Sequence, residues 1–274
     1  MNEQGLTKLK EIGKALRIDV LEMTTRYAGH PSSCFSSVEI VTALFFAGVL
    51  RYRPAEPLWP SRDRFILSKG HAAPLLYAAL ARAGYFSLER LADFRCIGSG
   101  LHGHPVQNTV PGVEVTSGSL GQGLSFGLGH ALAGRLSGLE YRVYVLLGDG
   151  ECEEGQVWEA AMASSHYRAG NLISIVDYNK CQQTGPIARE MALEPLAEKW
   201  RSFGWDVHEA DGHDLGQLVK SLESAAEAKE KPSVVIAHTV KGKGVSHIEN
   251  VVESHGKPLT PDQKRQAVEE IRCS

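Results

Sequence analysis

Two apolar runs, residues 143–147 and 172–176, each lead into a short polar signature. The first is followed by Gly148-Asp149-Gly150-Glu151 and the second by Asp177-Tyr178-Asn179. Runs of this length with polar borders read as buried strands. Twenty-eight residues lie between Gly150 and Asn179, room for a helix that crosses between two parallel strands. An Asp and an Asn are therefore expected at the carboxyl ends of neighbouring strands, where open α/β sheets bind ligands. A carboxylate and an amide oxygen are hard donors, suited to a magnesium ion that holds a phosphate.

The alternation continues downstream. Strands are expected over 142–147, 172–177, 205–209 and 233–238, with helices over 155–168 and 215–229. This rhythm predicts an α/β fold, a parallel sheet flanked by helices on both faces. Upstream, Leu6, Leu9, Ile12, Leu16, Val20, Met23 and Tyr27 recur at helical spacing. Ser36 and Glu39 have the spacing of a capping box that would open a helix running to Leu50. Three prolines make 51–60 a loop, 74–83 reads as a buried helix, and 91–111 is loop-rich. Residues 118–138 hold seven glycines, poor for a free helix but sensible for one packed tightly against a neighbour. From about 241 an extended arm leads to a short helix, and residues 1–274, without repeat or linker, read as a single domain.

The net charge of −3, with no block of Lys or Arg, argues against nucleic-acid binding. The longest greasy run, 40–50, is too short to span a bilayer, and Met1-Asn2-Glu3-Gln4 does not open like a secretory signal. Five scattered cysteines without a C-x-x-C pair fit a reducing, cytoplasmic setting and disfavour zinc.

Among chemistry-bearing pieces, Gly148-Asp149-Gly150 alone could be turn punctuation; joined to Asn179 it points to a site. The stretch Gly118-Ser119-Leu120-Gly121-Gln122-Gly123 is either a phosphate-facing loop that starts a helix or a set of glycines for close packing. It is neither G-x-G-x-x-G nor a P-loop. His30, His71, His104 and His255 each adjoin a glycine or proline in turn-like sequence, well placed to reach a ligand. His130 reads as a packing residue, and His102, His166, His208, His213 and His247 as structural or surface groups. Glu151, Glu153 and Glu154 are either a solvated first helical turn or a group that orients the site.

Together these pieces resemble the thiamine diphosphate family, and within it the transketolases. Gly148-Asp149-Gly150 through Asn179 is similar to that family's cofactor-metal motif, and other segments match in order: Ala28-Gly29-His30-Pro31, Asp63 through Ala72, Gly103-His104-Pro105, Gly112 through Gly123, and Lys241-Gly242-Lys243-Gly244. The resemblance implies that Asp149, Asn179 and the main-chain carbonyl of Cys181 hold magnesium, or calcium or manganese in its place. It implies that Gly118, Ser119, Leu120 and Gly150 approach thiamine diphosphate through their backbone, with His71 beside the diphosphate. His30, His104 and His255 would line the path to the reactive carbon and the sugar hydroxyls, and Glu154 matches an acidic residue near the cofactor.

The implied activity is transfer of a two-carbon ketol unit from a ketose (phosphate) to an aldose (phosphate). The chain resembles only the diphosphate-binding domain, so it is expected to be the N-terminal subunit of a split transketolase. The family's activating glutamate comes from the pyrimidine-binding domain, which implies a heterotetramer with a C-terminal partner subunit. Ser32, Cys34-Phe35, Val106 and Thr184 depart from the family's pattern and leave the sugar open, whether a pentose phosphate or a modified, branched or sulfonated sugar. Two alternatives are a subunit of a 2-oxo-acid dehydrogenase and a non-catalytic partner protein. The loop histidines favour sugar chemistry over the first, and the intact Asp149 and Asn179 speak against the second.

Overall fold

The computed structural model describes residues 2–274; Met1 lies outside them. Strands β1 (Arg64–Leu67), β2 (Val143–Gly148), β3 (Leu172–Tyr178), β4 (Asp206–Asp211) and β5 (Ser233–His238) form one sheet in the order β1-β2-β3-β5-β4. Every pairing is parallel, as the alternation of strands and helices requires. The helices are α1 (Glu3–Arg26), α2 (Pro31–Phe35), α3 (Val38–Phe46), α4 (Ala73–Arg82), α5 (Gln122–Leu136), α6 (Gly155–His166), α7 (Ile187–Glu190), α8 (Leu196–Ser202), α9 (Leu215–Ala226) and α10 (Pro261–Cys273).

Because successive strand residues point to opposite faces, β2 feeds two cores. Val143, Val145 and Leu147 pack with residues of α5, α6 and α8, whereas Tyr144 and Leu146 pack with residues of α1, α3, α4 and α9. The terminal helix α10 buries Ala267 and Ile271 in this second core.

Three local expectations are corrected. The sequence marks β1 only as part of a motif and not as a strand, because four residues give no measurable period. Asp63, just ahead of it, fixes the strand by accepting the main-chain N–H groups of Arg51 (2.9 Å) and Arg142 (2.8 Å). Ser36 and Glu39 form no capping box: Ser36 Oγ donates to Asp177 (2.6 Å), Glu39 pairs with Arg17 (2.7 Å), and α3 starts at Val38. That helix stops at Phe46, short of Leu50, and Gly48 turns the chain in the left-handed region (φ 84). A reciprocal capping box does occur at Thr260 and Gln263, opening α10.

Candidate active site

The register pairs Gly148 with Asp177 across β2 and β3, so Asp149 and Asn179 emerge side by side at the carboxyl edge of the sheet. They open into a cleft of about 350 Å³. Of the residues singled out from sequence, His30, His71, His104, His255, Gly118, Leu120, Asp149, Gly150, Glu154, Asn179 and Cys181 line it; Ser119 does not.

Two acids lie under this cleft in opposite states. Asp177 is fully buried, and its carboxylate accepts from Lys69 Nζ, Ser36 Oγ (2.6 Å), Ser37 Oγ (2.8 Å) and Thr239 Oγ1. Burial pushes its pKa up, but the Lys69 ammonium and the hydroxyls outweigh this and hold it below the usual carboxylate range. Asp149 is 2% exposed and, among the described residues, accepts only main-chain N–H groups, from Gly150 (2.8 Å) and Lys180. Burial first, and then the Asp177 charge, push its pKa up to about 7. A buried carboxylate without a cation is costly, and a bound cation would remove that cost.

The donors near Asp149 suit a hard ion. No cluster of three His, Cys, Asp or Glu side chains able to hold a metal exists among the described residues. At the ends of β2 and β3 the cleft offers the Asp149 carboxylate and the Asn179 amide oxygen, with Cys181 beside them. Asn179 Oδ1 accepts the Cys181 N–H at 3.2 Å, which ties the loop to the strand end. So incomplete a set of oxygens fits magnesium, which keeps positions for phosphate oxygens and water.

Three imidazoles meet in the same cleft. Ring centroids of His30 and His71 are 5.3 Å apart, those of His30 and His255 5.1 Å, and those of His71 and His255 5.5 Å. His104 joins them by lying against Gly118, where a Cβ would sit 3.2 Å from its ring. Burial lowers all four: His30 to about 4, His255 to about 3, His71 well below its ordinary value, and His104 below it too. Neighbouring cations, Lys69, Lys241 and Arg95, add to the effect. The rings are therefore neutral at pH 7, each with one donor and one acceptor nitrogen. His30 Nδ1 is buried with no partner among the described residues.

Of the two readings of residues 118–123, close packing holds at Gly123. Gly121 adopts φ 83 and caps α5 in the left-handed region. A Cβ on Gly123 would fall 2.2 Å from Ser68 Oγ, so close packing demands glycine there. The Gly121 N–H donates to Glu151 (2.9 Å) and that of Gly123 to Ser68 (3.1 Å), so neither faces a phosphate. Glu151 is thus a buried bolt that also accepts the Gly148 N–H at 3.0 Å, and it lines the cleft together with Glu153 and Glu154.

Sequence reasoning missed Lys69, Ser33 and Gln182 as lining residues. Lys69 falls within the matched segment from Asp63 to Ala72, but its burial beside Asp177 needs the tertiary fold. Of the departures from the family's pattern, Ser32, Cys34, Val106 and Thr184 do not line the cleft; Ser33 between the first two does. Cys34 is fully buried and its thiol is pushed up to about 12 by that burial. His213 is structural, bridging Glu39 (2.9 Å) and the Val240 N–H (2.8 Å).

The family described as transketolase, thiamine diphosphate binding domain, matches residues 7–272. A 6-deoxy-6-sulfo-D-fructose transketolase subunit of a Clostridium species is 40% identical, over 99% of this chain and 98% of that protein. An apulose-4-phosphate transketolase subunit of Phocaeicola vulgatus is 41% identical, over 89% of this chain and 86% of that one. The crystal structure of transketolase from Campylobacter jejuni superposes with a TM-score of 0.90 at 32% identity, covering 99% of this chain and 43% of its own. The chain likewise spans only 42–43% of the length of the longer transketolases it matches. The chain belongs to the transketolase family, where it corresponds to the thiamine diphosphate-binding domain.

Proposed function

We propose that this chain is the diphosphate-binding subunit of a two-chain transketolase, dependent on magnesium, that moves a two-carbon ketol unit between sugars. The observation that carries the proposal is a buried Asp149, without a cation partner among the described residues, that shares one cleft with Asn179 and four histidines. Asp149, Asn179 and the Cys181 carbonyl would hold the ion, with calcium or manganese able to substitute. The main chain at Gly118, Leu120 and Gly150 and the side chain of His71 would face the diphosphate, with Ser119 adjacent.

When bound, thiamine diphosphate supplies the electron sink that two-carbon transfer requires. The protein positions and shields. Neutral His30, His104 and His255 accept or donate at ring nitrogens and so pass protons among sugar hydroxyls near pH 7. Glu154, exposed at the rim where α6 begins, would stand near the cofactor.

Two of the most similar relatives are themselves named as subunits, which supports a heterotetramer with a partner that carries the pyrimidine-binding domain. Their named sugars differ, one sulfonated and one phosphorylated, so the substrate class proposed here is an anionic sugar, with pentose phosphates included. No helix among the described residues is long and apolar enough to cross a membrane, and the five free cysteines fit work in the cytoplasm.

Calorimetric titration with thiamine diphosphate and magnesium tests the site. Asp149→Ala should lose magnesium-dependent binding while its circular dichroism and melting temperature stay at or above wild type, because the change removes a costly buried carboxyl. Unchanged affinity in that variant would falsify the ion site.

A further inference from the structure

We infer that the cavity between α1, α3, α9 and the arm after β5 is a second binding site, separate from the catalytic cleft, and that it takes a small carboxylate with an apolar tail. The site does not depend on ketol transfer.

The cavity has a volume of about 480 Å³, enough for a small molecule. Lys10, Gly13, Lys14 and Arg17 line it from α1, at the i, i+3, i+4 and i+7 spacing of one helix face. Three cations thus surround one glycine. Gly13 is buried midway along a 24-residue helix, where glycine is costly relative to alanine. Packing does not require it: an added Cβ would meet Val38 Cγ1 at 3.6 Å, Arg17 Nη1 at 3.7 Å and Thr42 Oγ1 at 3.8 Å, all ordinary contacts. The missing methyl leaves a notch with two donors on its wall. Thr42 is fully buried, and its Oγ1 has no hydrogen-bond partner among the described residues. A buried hydroxyl in that state is costly, and a ligand oxygen seated over Gly13 would satisfy it.

The neighbouring charges leave room for one anion. Arg17 pairs with Glu39 (2.7 Å), which also holds His213 (2.9 Å); Lys14 pairs with Glu11 (3.0 Å) and Lys243 with Glu249 (3.2 Å). Both acids that line the cavity, Glu11 and Glu39, are therefore engaged. Lys10 has no ion pair among the described residues; its charge reaches Asp214, whose carboxylate already caps α9 at 2.8 and 3.0 Å. A carboxylate with one oxygen in the notch and the other toward Lys10 meets both needs. Its apolar tail then lies against Leu9 and Leu215. Arg17 also donates from Nε to the Lys243 carbonyl at 3.2 Å, so the occupant touches a residue that holds the arm leading to His255.

The test is calorimetric titration of the full chain with 2-naphthoate, with neutral 2-naphthamide as the control for charge and inorganic phosphate as the control for the tail. 2-Naphthoate should saturate one site per chain, and the amide and phosphate should bind at least about tenfold more weakly. Gly13→Ala should melt at or above wild type yet bind 2-naphthoate about tenfold more weakly, because its methyl fills the notch. Thr42→Val, which removes a hydroxyl that has no partner to lose, should also weaken binding without lowering the melting temperature. Kept stability with lost affinity separates a ligand notch from a merely structural contact. The site is overturned by a wild-type chain that shows no saturable binding, by an amide or phosphate that binds as well as 2-naphthoate, or by undiminished affinity in Gly13→Ala and Thr42→Val.

Discussion

At the scale of the residue, the cleft works by keeping ionisable groups away from their ordinary charge states. The four imidazoles are held low, chiefly by burial. The unfolded chain protonates them near their ordinary 6.5, whereas the folded chain protonates His30 only near about 4 and His255 near about 3. The folded state therefore binds fewer protons in that window, and stability falls as pH drops through it. Asp149 acts with the opposite sign. Its carboxyl is pushed up to about 7, so in the ion-free protein its contribution favours folding at low pH and is lost as pH rises through that value. Urea midpoints measured across this range should fall on acidification, and less steeply in His255→Asn than in wild type. Equal slopes in the two proteins would count against a buried, neutral His255. Much of this is legible in sequence: residue type and punctuation mark Asp149, Asn179 and the four loop histidines. They do not mark Lys69, because a lone basic residue carries no periodicity or spacing, and only its burial beside Asp177 gives it a role.

At the scale of the element, the glycine-rich helix α5 shows how one composition serves two ends. Gly127 faces the sheet, where a Cβ would sit 2.5 Å from Val145 Cγ2 and 3.1 Å from Leu172 Cδ1. Gly129, two residues on, meets nothing within 4 Å. Gly127→Ala should therefore cost roughly 1–3 kcal/mol through overpacking. Gly129→Ala should gain about 0.4–1 kcal/mol by reducing the freedom of the unfolded chain. Chemical denaturation of the two variants reads the difference, and similar effects would mean that the helix does not press on β2 as described. The sequence marks these glycines as unusual but cannot say which face each one serves. The same limit explains Ser36 and Glu39. Their spacing satisfies a capping rule, yet a buried Asp177 and a buried Arg17 offer both side chains stronger partners. Tertiary contact overrides a local signal there, as it does not at Thr260, which lies on an exposed helix end with nothing competing for it.

At the scale of the whole molecule, one sheet edge gathers groups from across the chain, from His30 to His255, into a single cleft. No residue of this chain matches the pyrimidine-side glutamate, so the isolated chain should show no ketol transfer and should gain it when the partner is added. A coupled assay of donor consumption, with each chain alone and with both, checks this; full activity from the single chain would refute the missing-glutamate argument. By itself, the sequence determined the parallel α/β class, the placement of Asp149 and Asn179 on adjoining strands, and the family. Those follow from apolar period, strand-to-strand spacing and ordered motifs, which are local properties of a chain. The tertiary structure alone decided that β1 completes the sheet and that β5 returns between β3 and β4. It also decided that Asp177 pairs with Lys69 while Asp149 meets only main-chain N–H groups among the described residues. Those outcomes depend on which side chains meet across distant parts of the chain, and on how much water is excluded where they do.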